Sequence, residues 1–348
     1  LKLWQGNPST NVLGTGISEE AVAKAVSSSG YPLQVLVARS LLPDFQLEEE
    51  WGYLDSDTAS IRTMDIVASR HLYDIFGEQP RIRPGLKLII ECKQSELPYI
   101  FFLGTGHVWT QDFPSVCGLG CDEIVITSDD DPSTWNYCPI GLLELRDHSF
   151  LTTDPKFSLT FSKCVRKGKD LELSGSDAYQ NLVFPLIKAV EHMKKTEIPP
   201  TTAYYFDCNV VIGVGVIDAP MISVKVTDDG TELEMTPWVR VIRHQPCEGE
   251  HKHDRKQVLA VDIVHKDYFE AYVKTKVLPF AENFAQLALK HAHVLADGKG
   301  FVPRMGAESW TGIEARLQRC SLSTKPKRVT AVVKNLCKAL AKDQKPSK

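Results

Sequence analysis

The chain lacks any run of about 18 apolar residues, which excludes a membrane-crossing helix read from hydropathy. Its first residues, LKLWQGNPST, lack the basic-then-apolar layout of a signal peptide, so no secretory address is read there. It also lacks an excess of positive charge. With 40 Lys and Arg against 44 Asp and Glu, the formal net charge is -4, and a global electrostatic footprint for a polyanion is excluded. Internal repeats and long low-complexity segments are missing as well, which removes solenoids and arrays. The nine cysteines are odd in number and widely scattered, so they give no disulfide framework; a reducing, cytoplasmic setting is expected. No nucleotide fingerprint is met, because Gly104-Thr-Gly106 and Gly213-Val-Gly215 each stop after two glycines without a following phosphate-cradling helix.

What is present is material for a core. At 348 residues, with 43% hydrophobic and 24% charged, the chain can build one large domain or two ordinary ones. Its charge is uneven. Residues 313–348 carry ten Lys or Arg against Glu314 and Asp343, a surplus of eight, which leaves the rest of the chain near -12. Such a polarity suits a chain that grips phosphates with one end; a solvated tail is the plainer reading. The expected division is a main body over 1–300 and a basic, helical extension over 301–348.

Ser18, followed by two glutamates and an Ala/Val-rich run, predicts a capped helix that stops near Gly30. Tyr31-Pro32 opens a second, with Leu33, Leu36, Val37 and Leu41 on one face. Phe45–Arg70 reads as a β-hairpin around the acidic turn Asp55-Ser-Asp57, in which Ile61, Thr63, Asp65 and Val67 alternate with Arg62, Met64 and Ile66. Leu86–Cys92 is a nearly continuous apolar run with the flanks of a central strand, and Pro98-Tyr-Ile-Phe-Phe starts another segment. Residues 104–175 read as an insertion or elaborated loops. Ser176–Lys195 reads as an amphipathic helix, Asn209–Val226 and Glu232–Arg243 as strands, and Val258–Val264 as a lead into a long helix near Asp267–Ala292.

The chemistry concentrates in Glu91-Cys92-Lys93. Two apart at the end of a strand, Glu91 and Lys93 point to the same face while Cys92 points to the other, and the Cys92 carbonyl is available as a hard-oxygen ligand. Asp65, followed by apolar Ile66-Val67-Ala68, supplies a second carboxylate from the preceding hairpin. Phosphodiester hydrolysis needs a divalent cation and a positive group near the attacking water, and two carboxylates with a lysine suffice for both. The plainer reading is an Asp65–Lys93 salt bridge at a strand edge, with Glu91 solvated.

Arg62-Thr-Met-Asp65-Ile-Val-Ala, then Leu88-Ile-Ile-Glu91-Cys-Lys93, resembles the PD-(D/E)xK nuclease superfamily, the restriction-endonuclease-like fold, over roughly residues 18–103. The segment Gly30-Tyr-Pro-Leu-Gln34 is similar to the helix that precedes the sheet in many members, with Gln34 where an acid often stands. The resemblance implies an α/β fold with a mixed central β-sheet flanked by helices. It implies Mg²⁺ or Mn²⁺ held by Asp65, Glu91 and the Cys92 carbonyl, with Lys93 orienting water. The substrate it implies is nucleic acid, DNA in preference to RNA. With no obvious recognition module, the chain reads as an effector that relies on a protein partner or homo-oligomer for targeting, as in bacterial and antiviral defence. A catalytically inactive nucleic-acid-binding scaffold, using the basic tail, is the rival reading.

Other constellations are weaker. Cys117, Cys121 and Cys138, with His107, could hold Zn²⁺, but the spacing is loose, and small buried thiols are the favoured reading. His244, Cys247, Glu248, His251 and His253 read as a polar solvent loop. Asp129–Asp131 lacks the glycine and closing glutamate of a calcium loop and reads as a capped turn. Gln180 and Lys188 stand where the helix after the catalytic strands could face the cleft.

Overall fold

A computed structural model describes residues 1–55, 57–104, 113–152, 156–246, 256–306 and 312–320. Two helices open the chain, α1 (Glu19–Ser27) and α2 (Tyr31–Leu41). The Ser18 hydroxyl accepts from the Ala21 amide, and Glu19 and Glu20 occupy the first turn, as the sequence predicts for α1. In α2, Pro32 lies in the first turn, and the buried stripe is Leu33, Gln34, Val37, Ala38 and Leu41. Leu36, read as part of that stripe, is 57% exposed. Gln34 and Ala38, on the neighbouring helical positions, take its place, so a polar amide enters the interior.

The strands follow as β1 (Gln46–Asp55), β2 (Ser60–His71), β3 (Ile82–Gln94), β4 (Tyr99–Leu103), β5 (Ser115–Cys117), β6 (Ile124–Ser128), β7 (Trp135–Tyr137) and β8 (Lys156–Lys167). After them come β9 (Asp170–Ser174), β10 (Phe206–Asp218), β11 (Met221–Thr227), β12 (Gly230–Met235), β13 (Trp238–Pro246), β14 (Lys256–His265), β15 (Lys299–Val302) and β16 (Gln318–Arg319). The main sheet runs β1-β2-β3-β10-β14-β13-β8-β4-β11-β12, with β5 and β9 attached to β10 and β8. It is mixed: β1, β2 and β3 are antiparallel neighbours, whereas β10 lies parallel to both β3 and β14. The chain is therefore a mixed α/β protein with a large mixed sheet flanked by helices.

The segment read as elaborated loops, 104–175, holds β5 to β9, and β8 takes a place inside the main sheet between β13 and β4. Residue 300 falls within β15, which pairs with β6 in a smaller four-stranded sheet. Residues 301–306 and 312–320 thus continue the body, and residues 321–348, the greater part of the basic segment, lie outside the described residues. No helix of the described residues is long and apolar enough to cross a membrane.

Alternation along the central strands feeds two apolar layers. Val210, Ile212, Val214 and Val216 of β10 join Ile90 of β3, Leu33 and Val37 of α2, and Phe280 and Phe284 of the helix Leu278–Lys290. Val211 packs on the opposite side with Ile89, Val261, Leu182 and Leu186. On that second side β10 carries Gly213 and Gly215. A Cβ on Gly215 would come within 2.8 Å of both Ile263 Cδ1 and Leu182 Cδ1. These glycines let the helical run Gly175–Thr196 lie close against the sheet, which is the role of the Gly-Val-Gly pair.

One ion pair is wholly internal. Arg240 of β13 stands opposite Asp262 of β14, both 0% exposed, and meets it through Nε at 2.7 Å and Nη2 at 2.9 Å. The Tyr272 hydroxyl donates to the same carboxylate at 2.7 Å, and the guanidinium also donates to the Phe150 carbonyl. Every strong partner is thereby satisfied, the condition under which a buried pair is tolerated.

Candidate metal centre

Three elements deliver the side chains. Strands β2 and β3 pair in register up to Ile66 and Ile90, and Asp65 and Glu91 are the next residues beyond the end of that ladder. There the ladder gives way to a side chain: the Cys92 amide donates to Asp65 Oδ2 at 2.6 Å. In an antiparallel pair the amide and carbonyl of a residue serve the same edge, so the Cys92 carbonyl is turned towards Asp65 as well. A Cβ at Gly30, just before α2, would stand 3.8 Å from that carbonyl oxygen.

The regular alternation expected for β2 slips at Asp65. Met64 and Val67 pack in one apolar layer, Ile66 and Ala68 in the other. The slip is shared by β1. Its ladder with β2 includes Glu49↔Ile66 and Trp51↔Met64, which places Glu50 opposite Asp65, and Glu50 has a left-handed φ of 53°. Such a conformation is uncommon for a residue with a side chain. Gln34 spans the two strands from α2: its Nε2 donates to Glu50 Oε1 at 2.9 Å and to the Asp65 carbonyl at 3.1 Å.

Glu91 is 8% exposed. Lys93 Nζ donates to its Oε1, whereas its Oε2 is buried without a hydrogen-bond partner. Burial pushes the Glu91 carboxyl up to about 7, the Lys93 ammonium pulls it back, and the charge of Asp65 pushes it further up. Burial likewise raises Asp65, against the Cys92 amide and Lys93, and the Glu50 charge adds to the rise. Lys93 itself is one third exposed, so its ammonium faces both the carboxylate and solvent.

Asp65, Glu91, Lys93 and the Cys92 backbone are thus brought together, and Gln34 joins them through main-chain and side-chain contacts. The donor set suits a hard divalent cation: two carboxylates, one of them with a buried oxygen that lacks a hydrogen-bond partner, and a carbonyl. Among the described residues no group of three or more His, Cys, Asp or Glu side chains converges on a point that could hold a metal. Sequence reasoning missed Glu50. It sits in the run Glu48-Glu49-Glu50, which reads as a solvated strand face, and only its partner Gln34 was singled out.

The remaining candidates lie elsewhere. Cys117 pairs through β5 with Asn209 of β10, the Cys121 thiol lies against Gly298, and the Cys138 thiol accepts from Arg146. His107, Cys247, Glu248, His251 and His253 fall outside the described residues. Asp131 accepts from the Ser133 amide, as a capped turn does, whereas Asp130 accepts from the distant Met305 and Gly306 amides. Lys188 is engaged by Asp57 and Glu191, and Gln180 is exposed.

Comparison of the chain with protein-family models, with curated proteins and with solved structures finds no match.

Proposed function

We propose that this chain is a metal-dependent nuclease of the PD-(D/E)xK type, with a centre at Asp65, Glu91, the Cys92 carbonyl and Lys93. The observation that carries this reading is Glu91: a carboxylate held inside the protein, beside a second carboxylate, with Oε2 left without a partner. Burying such a group is costly unless something compensates it, and a cation is the compensation this donor set fits. The order of elements supports a restriction-endonuclease-like fold: α2, the hairpin that bears Asp65, the strand that bears Glu91 and Lys93, and later a helix packed on that strand's face.

A bound Mg²⁺ or Mn²⁺ would supply Lewis-acid polarisation of the scissile phosphate and a more acidic water. Asp65 and Glu91 would hold it, together with the Cys92 carbonyl. Lys93 engages Glu91 Oε1, so Oε2 is the oxygen that would remain for a cation. Its partly exposed ammonium then stands where it can orient a water and stabilise charge that develops on phosphate oxygens. DNA is the proposed substrate, by analogy with the superfamily, and targeting through a protein partner or a second copy belongs to the same proposal. A cytoplasmic setting suits the absence of disulfides among the described cysteines.

The test is cleavage of a supercoiled plasmid and of a single-stranded substrate by wild type and Lys93→Ala, with Mg²⁺, Mn²⁺ or EDTA. The expected outcome is cleavage that requires the metal and disappears in the variant. Nucleic-acid binding without cleavage in any metal would favour the rival, an inactive binding protein that uses the basic segment 313–348.

A further inference from the structure

The Glu50 backbone and the Gln34 amide have no part in the three-residue motif, yet both converge on Asp65. Glu50 stands opposite Asp65 in the β1–β2 ladder with φ 53°, a conformation that glycine would adopt without cost. A single buried amide, Gln34 Nε2, ties Glu50 Oε1 to the Asp65 carbonyl. The result is an exposed carboxylate, anchored by one hydrogen bond from Gln34, whose charge acts on Asp65 and whose backbone is strained. Strain and like-charge proximity both oppose folding, and each persists only where the surroundings impose it. The compensating feature on the same centre is Glu91 Oε2, a nine-tenths-buried oxygen with no protein partner.

We infer that Glu50 is a positioning residue of the cation centre: anchored by Gln34, its carboxylate fixes the Asp65 segment and adds negative charge that tightens the divalent cation. Gln34 then acts by holding an acid from the neighbouring strand. This inference rests on the proposed cation centre and adds a fourth side chain and a clamp to it. The groups that face Glu50 and Asp65 are Gln34 from α2, the Cys92 amide and Glu91 from β3, and Lys93 beyond them.

The experiment is titration of Mn²⁺ into the full chain by isothermal calorimetry, for wild type, Glu50→Gln and Glu50→Gly, with a thermal melt of each in EDTA. Glu50→Gly removes the carboxylate and relieves the backbone, while Glu50→Gln keeps the shape and an acceptor for Gln34. Both variants are expected to bind Mn²⁺ about 10- to 100-fold more weakly, the range for groups that orient metal ligands. Glu50→Gly is expected to melt no lower than wild type, which separates a functional residue from a structural one. Unchanged Mn²⁺ affinity in both variants, with wild type binding normally, overturns the role of Glu50 and leaves the centre standing. Absence of Mn²⁺ binding in wild type overturns the centre and this role with it.

Discussion

Glu91→Gln exchanges a buried carboxylate for a neutral amide of nearly the same shape. In a free chain the carboxyl titrates near 4.5, and in the folded protein at about 7. The folded state therefore binds the proton more tightly. The group's contribution to stability is complete below pH 4.5 and is lost as pH rises through 7, because the unfolded chain releases its proton first. At pH 8 the ionised side chain costs the fold roughly 3 kcal/mol. An unfolding entropy of about 2.1 cal/mol/K per residue converts that into roughly 4 °C for a chain of this length. Lys93 loses its partner in the variant but is one third exposed and stays hydrated. Thermal melts of wild type and Glu91→Gln in EDTA, at pH 4 and pH 8, check the reasoning. The variant should melt about 4 °C higher at pH 8 and equally at pH 4, and added Mg²⁺ should raise the wild type alone. Equal or lower melting of the variant at pH 8 would refute the idea that the fold holds an unfavourable charge at this point.

Two further substitutions address the scaffold beneath the centre. Gly215→Ala would force a methyl against Leu182 and Ile263 on the strand that flanks Glu91, and should cost about 1–3 kcal/mol by urea denaturation; a neutral result would mean the helix has room to shift. Asp262→Ala strands the fully buried Arg240 and should cost about 3–5 kcal/mol, whereas the double variant Asp262→Leu with Arg240→Met should recover most of it. If the double variant is no more stable than the single one, packing against Phe113 and Phe150 outweighs the charge.

The hairpin and the Glu91-Cys92-Lys93 strand were legible because an uninterrupted apolar run and a polar triplet at its end leave few alternatives. Both helices at the start were legible for local reasons, the Ser18 cap of α1 and the first-turn proline of α2. The slip at Asp65 was not, because alternation read from residue types cannot register a backbone turned left-handed at Glu50 on the neighbouring strand. Nor was the place of β8 legible. Its pairing with β13 and β4 is set by segments far along the chain, and the glycine-rich stretches around Cys117 and Cys121 imitate loops. Leu36 and Gln34 exchanged roles because the Gln34 amide finds acceptors inside, Glu50 Oε1 and the Asp65 carbonyl, which residue type alone does not reveal.

The parallel pairing of β3 with β10 carries a consequence for the order of assembly. Gln34, Glu50, Asp65, Glu91 and Lys93 all lie between residues 31 and 94, on elements joined by short connections, whereas β10 begins at Phe206. During synthesis the charged cluster can be drawn together while one whole edge of β3, Ile82–Gln94, still waits for its neighbour. Long-range parallel pairing is slow, and an apolar strand with an open edge recruits other chains in the interval. Glu91 and Lys93 at the far end of that strand, with Asp65 on the neighbouring β2, then act as gatekeepers. The charges proposed to hold a cation in the finished protein are the same charges that make the half-built sheet a poor template for its own aggregation.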